Sequence, residues 1–503
     1  MQLVSNYRPW RSGQGIGSSF QSSLAVWLLQ SCSSSSRRST HATTLFVATE
    51  KNPSWKVLVV DDHAMRVISA AIGMYDIMER KVTVVESLEL KRAPFPDMDA
   101  IYILDPIAES IDLLVDDFQR SKPLYGKNVF LYFLGRLSDD LFAKIKGCKH
   151  LVKRLKTLSE INIDFLPKEQ RAFTFDMRET FSALYLRREA QAIELSIASK
   201  LVTVCGTLNE YPHIRYTNNS PVCQSLASLF KLKMDEFVSQ NPSWWYHGGA
   251  TRNQAASKNR ATLLLLDRAE DCLSPLMHDF TYQPMVHDLL DMDGDRITYD
   301  NDKGGKTDVL LDEKDSIWVE LRGKHIAAVI ETLSDRIKEI MNSSTGSTLN
   351  TKQGDGNLSL SQMAAALKAL PEYQEVMSKL SQHMHLSHQC MGNFSSQGLI
   401  DLAEIEQTMA TGKDEDGRSP KIADIMDQVE EQLLRMKTLP KKLRLILIAV
   451  VASGGLRAQD RRRLVAAAEL TAREMRVMDA LETLGLNLLR SDDKNSPVTG
   501  LPK

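Results

Sequence analysis

Three aspartates follow the first predicted strands of the chain. Asp61 and Asp62 come directly after the apolar run KVLVV (56–60), and Asp105 follows AIYIL (100–104). Ligand-binding residues of doubly wound sheets lie at the carboxyl ends of the strands, so we expect these three side chains at one edge of a sheet. Clustered carboxylates of this kind can bind Mg²⁺ and accept a phosphoryl group.

The run VLVVDDH, followed by an aspartate after a later strand, resembles the receiver domain of two-component signalling proteins. In that interpretation Asp105 is the phosphoacceptor and Lys168 is the accompanying lysine. A receiver carries a small hydroxyl residue after its fourth strand, whereas this chain has Leu134, Gly135 and Arg136 there, and Lys168 comes only after an additional helix. A receiver-like phosphoacceptor signalling protein is therefore the alternative function.

A second charged group ends the leucine run Leu263–Leu266. The run predicts a strand covered on both faces, followed by a helix that Ser274 caps and that has Pro275 at its first position. No nucleophile, metal triad or phosphate-binding loop lies near Asp267 and Arg268 in sequence. We therefore interpret the two residues as an ion pair at a junction between packed units, and not as a catalytic centre.

Four residues of metal-binding type lie close together in the second half of the chain, His383, His385, His388 and Cys390. On a helix, His383 and His385 point in nearly opposite directions, and a zinc site needs convergent ligands. The sequence therefore predicts no metal site at these positions, and we expect no cofactor.

Bulk properties exclude several classes of function. The 503 residues carry a formal net charge of -2, which gives no indication of a nucleic-acid or membrane-surface role. The six cysteines include no CxxC pair and indicate reduced thiols. The most apolar helix candidate, Leu443–Ala452, is far shorter than the ~20 residues that span a bilayer. We expect a cytosolic monomer that reaches membranes only through a partner.

Alternating strands and helices from Trp55 onward predict a doubly wound parallel sheet, and the chain is helical from Ser316 onward. The predicted elements include a single helix over Ala64–Arg80, with Tyr75 facing inward, and a strand at INIDF (161–165). The predicted organisation is a serine-rich extension or targeting segment at 1–50, an α/β domain at 51–155, a second α/β domain at 156–268, a mostly helical domain at 269–488 and a tail at 489–503.

Several stretches together resemble the SM family, the syntaxin-binding proteins that assist SNARE assembly, and most closely its exocytic, plasma-membrane branch. They occur in family order and are WKVLVVDDHAMR (55–66), KTLSEINIDFLP (156–167), TLNEYPHIRY (207–216), LDRAEDCLSPLMHDFTYQ (266–283), WVELRGKHIA (318–327) and LPEYQEVMSKLSQHMHL (370–386). The resemblance implies an arch of three domains without enzymatic activity, in which the first sheet presents a surface to a protein partner.

The family's first domain grips a closed, four-helix syntaxin. By matching motif positions, the resemblance implies that Asp61, Arg66 and Glu86 are polar contacts to it. At two neighbouring contact positions Gly73 and Ala93 replace charged residues of the family.

The family also binds the N-terminal peptide of the syntaxin in a pocket on the first domain. Leu137, Phe142, Leu158 and Glu160 match the positions of that pocket. Three apolar groups can form a dry pocket, and one carboxylate can meet a basic group of the peptide. The alternative is that Phe142 and Leu158 are ordinary core residues.

Two further implications concern the later part of the chain. The segment near 342–381 matches a hairpin that binds the vesicle SNARE, with Leu367 near the apolar contact. Family members continue beyond the matching end of this chain and complete the sheet of the second domain. We therefore expect an incomplete second domain, from a truncated gene model or from a genuine reduction.

The resemblance implies a regulator of vesicle docking and fusion in secretion. Its expected partners are a syntaxin-type SNARE and the assembled SNARE bundle, and no nucleic acid. The expected location is the cytoplasm, peripherally at the plasma membrane or on secretory vesicles.

Overall fold

The computed structural model describes most of the chain, in two compact units, Met1–Asp267 and Arg268–Lys503. The described residues are 55–119, 123–169, 171–186, 190–208, 210–241, 260–300, 305–346 and 371–490. The predicted extension at 1–50, Leu367 and most of the predicted hairpin near 342–381 lie outside these residues. The tail beyond residue 490 does so as well.

A five-stranded parallel sheet forms the centre of the first unit. Its strands are β1 (Lys56–Val60), β2 (Val82–Ser87), β3 (Asp99–Leu104), β4 (Val129–Phe133) and β5 (Leu155–Glu160), in the order β2-β1-β3-β4-β5. The helices between them are α1 (Asp62–Ala71), α2 (Met74–Glu79), α3 (Ala108–Gln119), α4 (Asp139–Gly147) and α5 (Lys149–Arg154).

Both faces of this sheet are covered. Leu58, Val60 and Ile101 pack towards α1, and their neighbours Val57 and Val59 pack into the opposite layer with α3. Because side chains alternate across a strand, β1, β3 and β4 are apolar at nearly every position. The doubly wound parallel sheet expected from the sequence is therefore confirmed.

The prediction of a strand at INIDF was wrong. The fifth strand is the less apolar LKTLSE, Leu155–Glu160, and INIDF follows it as irregular backbone. Its apolar residues Ile161, Ile163 and Phe165 are nevertheless buried. The error arose because β5 is an edge strand, half exposed and less apolar than its successor. The sheet thus continues beyond residue 155, the proposed end of the first domain.

The predicted single helix over Ala64–Arg80 is also divided. Backbone at Ile72 is extended, and the amide of Gly73 donates to the Asp76 carboxylate (3.1 Å) to begin α2. The division rotates the second helix, so that Tyr75 is 74% exposed and not inward, beside exposed Met74 and Met78.

The remainder of the first unit is a second α/β layer. It contains β6 (Leu166–Glu169), β7 (Ala172–Thr174), α6 (Thr180–Tyr185), α7 (Ala190–Leu208), β8 (His213–Tyr216), α8 (Pro221–Gln240) and β9 (Thr262–Leu265). In β9, Leu263 and Leu265 are buried against α7 and α8, Leu264 is half-buried and the following Leu266 is 58% exposed. The expectation of a strand covered on both faces was therefore wrong, because β9 packs through one face.

The residues after β9 do not form the helix predicted to begin at Ser274, and the pairing of Asp267 with Arg268 stays a prediction. Asp267 accepts a hydrogen bond from the Tyr185 hydroxyl, and Arg268 forms an ion pair with Asp271 (3.3 Å). Ser274 lies in a single 3₁₀ turn, and the helix begins eight residues later at Tyr282.

The second unit is mostly helical, as expected. Its elements are α9 (Tyr282–Leu289), β10 (Met292–Asp293), β11 (Arg296–Asp300), β12 (Lys306–Leu310), α10 (Ser316–Leu321), α11 (Ile326–Gly346), α12 (Pro371–Ser396), α13 (Leu399–Thr411), α14 (Ile422–Arg435), α15 (Leu439–Ala452), α16 (Ala458–Ala468) and α17 (Ala472–Asp479).

The histidines of α12 are directed to different partners. His383 is fully buried, its Nδ1 lies 3.0 Å from the Tyr282 hydroxyl, and its Nε2 lies 3.1 Å from the Asp315 carboxylate. His385 stacks on Tyr299, with ring centroids 4.5 Å apart. Within the part of the chain that the structure describes, no group of three or more such residues is placed to hold a metal ion.

Asp315 links this buried histidine to the start of α10. Its carboxylate accepts hydrogen bonds from the amides of Ile317 (3.0 Å) and Trp318 (3.2 Å). Burial opposes the charge, but the interactions with His383 and the two amide hydrogen bonds together outweigh it and lower the pKa of Asp315. Tyr282, His383 and Asp315 therefore form a buried network between three helices.

We predict that His383→Leu lowers the free energy of unfolding by about 2–4 kcal/mol, because it leaves the Asp315 carboxylate and the Tyr282 hydroxyl buried without this partner. His388→Leu, at an exposed position of the same helix, is the matched control and should change it by less than about 0.5 kcal/mol. Urea denaturation and amide hydrogen exchange of α12 measure both. Equal effects of the two substitutions would refute the network's contribution.

Candidate functional site

Asp61 occupies the carboxyl edge of the first sheet, where sequence analysis expected a polar contact. Its side chain is only 3% exposed and caps α1 through the amide of Ala64 (2.8 Å). The other carboxylate oxygen accepts from the amide of Asp105 (2.7 Å) and the hydroxyl of Ser110 (2.8 Å). These three bonds use the carboxylate inside the unit, so Asp61 positions neighbouring residues and does not face a partner directly.

Asp105 does lie near other charged groups, and the central one is Asp164. The Asp164 carboxylate lies 2.8 Å from Nε2 of His63 and also forms an ion pair with Lys200. Burial, together with the charge of Asp164, raises the pKa of Asp105 to about 6. For Asp164 itself burial is outweighed by the hydrogen bonds from His63 and Lys200, and its pKa is lowered.

His63, Asp164 and Lys200 were not predicted to be members of this cluster. The one usable signal is Asp164 itself, an acidic residue inside the apolar run Ile161–Phe165. A carboxylate in such a run must find cationic or hydrogen-bonding partners when it is buried. Lys200 comes from α7, which is distant in sequence, so nothing in the sequence indicated that it would be the partner.

The cluster also bears on the receiver-like alternative. The sheet order is the one found in receivers. However, the lysine bonded into the cluster is Lys200, whereas Lys168 is an exposed residue of β6. The carboxylate that Lys200 meets is Asp164 and not the supposed acceptor Asp105.

Arg66 and Glu86 are the other two residues matched to the closed-syntaxin surface. The Arg66 side chain is 45% exposed on α1, where it forms ion pairs with Asp62 (3.3 Å) and Asp176. Glu86 is half-buried near the end of β2 and accepts a hydrogen bond from the hydroxyl of Tyr125 (2.7 Å). Both side chains therefore reach solvent while an internal partner holds them in position.

The four residues matched to the N-terminal peptide pocket come from β5, from α4 and from the segment between β4 and α4. Leu137 is buried, and Phe142 and Leu158 are partly buried against the same apolar cluster. The Glu160 side chain is exposed and accepts a hydrogen bond from the amide of Leu137 (3.0 Å). Phe142 and Leu158 thus leave some apolar surface exposed beside the Glu160 carboxylate. This arrangement is compatible with a peptide pocket and also with Phe142 and Leu158 being ordinary core residues.

A cleft of about 690 Å³ is lined in part by Leu158 and Glu160. It lies beside β5 and is bordered by α7 and α8. Its charged lining residues are Arg136, Glu160, Asp164, Lys200, Lys233 and Glu236.

Comparison with known proteins identifies the family of the chain. The sequence profile of the Sec1 family matches residues 56–501, and the chain therefore belongs to the Sec1 family.

Its similarity to individual relatives is extensive. It is 35% identical to protein transport protein sec1 of Dictyostelium discoideum, over 90% of this chain and 74% of that protein. It is 30% identical to the SNARE-interacting protein KEULE of Arabidopsis thaliana, over 86% of this chain and 65% of KEULE. The chain thus spans from about two thirds to three quarters of the length of these relatives.

The fold also matches a solved structure, the Unc18–syntaxin 1 complex from Monosiga brevicollis. The TM-score is 0.79 at 29% sequence identity, covering 96% of this chain and 81% of that chain. Among the helices that the structure describes, none is long and apolar enough to cross a bilayer.

We predict that Asp105→Asn stabilises the protein increasingly as pH rises from 4 to 7. The folded-state pKa of about 6 lies above the unfolded value, so the parent loses stability across this range as the buried carboxylate ionises. The difference in unfolding free energy between variant and parent should grow by about 2–3 kcal/mol, measured by urea denaturation. Asp62→Asn controls for the chemistry of the substitution, and a pH-independent difference at Asp105 would contradict the assignment.

Proposed function

We propose that this protein binds a syntaxin-type SNARE and the assembled SNARE bundle, and that it thereby regulates vesicle docking and membrane fusion in secretion. The observation that carries the proposal is the similarity, over 96% of the chain, to an Unc18 protein in complex with syntaxin 1. The relatives from Dictyostelium discoideum and Arabidopsis thaliana, a protein transport protein and a SNARE-interacting protein, agree with it.

The geometry of the first unit supports recognition without covalent chemistry. Asp61 is bonded to three donors of its own unit, and Asp164 is held between His63 and Lys200. Carboxylates so engaged stiffen the edge of the sheet from which α1 and β2 present Arg66 and Glu86. We therefore propose a non-enzymatic regulator that needs no cofactor.

The proposal also covers the location, the oligomeric state and the domain limits of the protein. A peripheral association with the plasma membrane or secretory vesicles would come through the SNARE partners, with the protein itself cytoplasmic and monomeric. The same proposal includes the vesicle-SNARE contact near Leu367 and domain limits at 51–160, 161–268 and 269–488, with the first boundary moved so that β5 stays in its sheet.

We expect the protein to retain the cytosolic part of its syntaxin in a pull-down. Arg66→Glu reverses the exposed charge on α1 and should weaken retention of syntaxin lacking its N-terminal peptide by about tenfold or more, since like charges across an interface repel. Lys153→Glu, the same charge reversal at another exposed position of the first unit, should leave retention unchanged. Failure to retain syntaxin with or without its N-terminal peptide would count decisively against the proposed function.

The N-terminal peptide pocket has its own test. Glu160→Gln keeps an acceptor for the Leu137 amide but removes the charge that would meet a basic group of the peptide. It should weaken binding of the isolated peptide by about tenfold, the scale of one charge-assisted hydrogen bond, as measured by fluorescence anisotropy.

Phe142→Ala complements that substitution by removing apolar surface from the pocket. Lys146 lies over the Phe142 ring at 4.4 Å, so Lys146→Ala is the control for the loss of this contact. If Glu160→Gln and Phe142→Ala both bind the peptide as the parent does, Phe142 and Leu158 are core residues only.

A further inference from the structure

The cleft beside β5 borders an unfilled sheet edge. β5 is the last strand in the order of the sheet and, among the strands that the structure describes, pairs only with β4. An edge strand presents backbone donors and acceptors that an extended peptide can use. A cleft of about 690 Å³ is large enough for several peptide residues.

The cleft is continuous with the proposed N-terminal peptide pocket. Leu158 and Glu160 belong to that pocket, and the same two residues of β5 line the cleft. A peptide that passes over Leu158 and Glu160 therefore enters the cleft directly. Leu195 of α7 and Phe237 of α8 offer apolar surface on the opposite side.

The lining of the cleft has three cationic and three acidic side chains, but positive charge is in local excess around Glu236. Nη1 of Arg136 and Nζ of Lys233 both lie 3.1 Å from the same oxygen, Oε2, of Glu236. Two cations thus share one carboxylate, and one positive charge remains. Deeper in the cleft Lys200 is already neutralised by Asp164, so the excess is localised at Arg136 and Lys233.

We propose that this cleft is a second subsite for the N-terminal peptide of the syntaxin. The residues that follow the pocket-bound part lie extended along the edge of β5 and place an acidic side chain between Arg136 and Lys233. This inference rests on the proposed function, because it requires the peptide to occupy the neighbouring pocket.

Two labelled peptides test the proposal by fluorescence anisotropy. The short one is the pocket-binding segment of the Monosiga brevicollis syntaxin 1 N-terminus, and the long one adds about six residues that include a glutamate. The long peptide should bind about tenfold more tightly, the gain expected for one charge-assisted contact and added backbone hydrogen bonds. A long peptide with glutamine in place of the glutamate should lose most of this gain.

Variants of the protein test whether the tighter binding of the long peptide arises in the cleft. Lys233→Gln removes the excess charge and Ala192→Trp fills the cleft from α7, so each should abolish the advantage of the long peptide without changing the affinity of the short one. Lys231→Gln is the matched control, because Lys231 lies on the same helix but pairs with Asp235 outside the cleft (2.7 Å). Unchanged melting temperatures confirm that the variants fold.

The outcomes separate the two proposals. Equal affinity of the short and long peptides, or an advantage that survives both Lys233→Gln and Ala192→Trp, overturns the second subsite and leaves the proposed function standing. If neither peptide binds and syntaxin is not retained, the proposed function fails and the inference fails with it.

Discussion

One carboxylate, that of Asp61, connects four parts of the first unit. Asp61 directly follows β1. Its carboxylate caps α1 by accepting a hydrogen bond from the Ala64 amide, and it also accepts from the amide of Asp105 after β3 and from the hydroxyl of Ser110 on α3. A buried carboxylate is stable only when it receives such hydrogen bonds, and donors left without it would be costly. These contacts fix the start of α1, whose buried face packs on the sheet through Ala64, Val67 and Ile68 and whose other side exposes Arg66.

The edge of a parallel sheet is where many folds place catalytic residues, and in this unit the carboxylates of Asp61 and Asp164 at that edge have internal partners. Asp164 forms an ion pair with Lys200 and is hydrogen-bonded to His63, while burial and the charge of Asp164 raise the pKa of Asp105. The charged groups that reach solvent lie around this rigid edge, on α1, at the end of β2 and along β5. The buried carboxylates and the charged groups that reach solvent thus occupy adjacent layers of the same unit.

The parts of the fold that the sequence predicted well are those buried on both faces. β1, β3 and β4 are continuous apolar runs, and the alternation with helices was sufficient to predict the parallel sheet. The fifth strand was misplaced because an edge strand needs less apolar sequence, and INIDF, though buried, makes no ladder. The break at Ile72 and Gly73 was missed because one glycine in a periodic run does not reveal that the backbone turns extended there.

The candidate site likewise contains residues that the sequence predicted and contacts that it did not. Matching motifs brought Leu137 and Glu160 to one place, where a hydrogen bond joins them, but motif matching could not show that Asp61 is inaccessible. Accessibility depends on α3 and its Ser110, which the motif does not include. The cluster around Asp164 joins residues more than a hundred positions apart, and only the folded chain brings His63 to it.

Burial also determines how the protein responds to oxidation. It raises the pKa of Cys205 in α7 and of Cys390 in α12 to about 12, so that at neutral pH roughly one thiol in 10⁵ is the reactive thiolate. The sulfur atoms that oxidants reach more easily include the thioethers of Met74 and Met78, both more than half exposed on α2. Their conversion to sulfoxides would make a polar surface of an apolar one directly after Gly73.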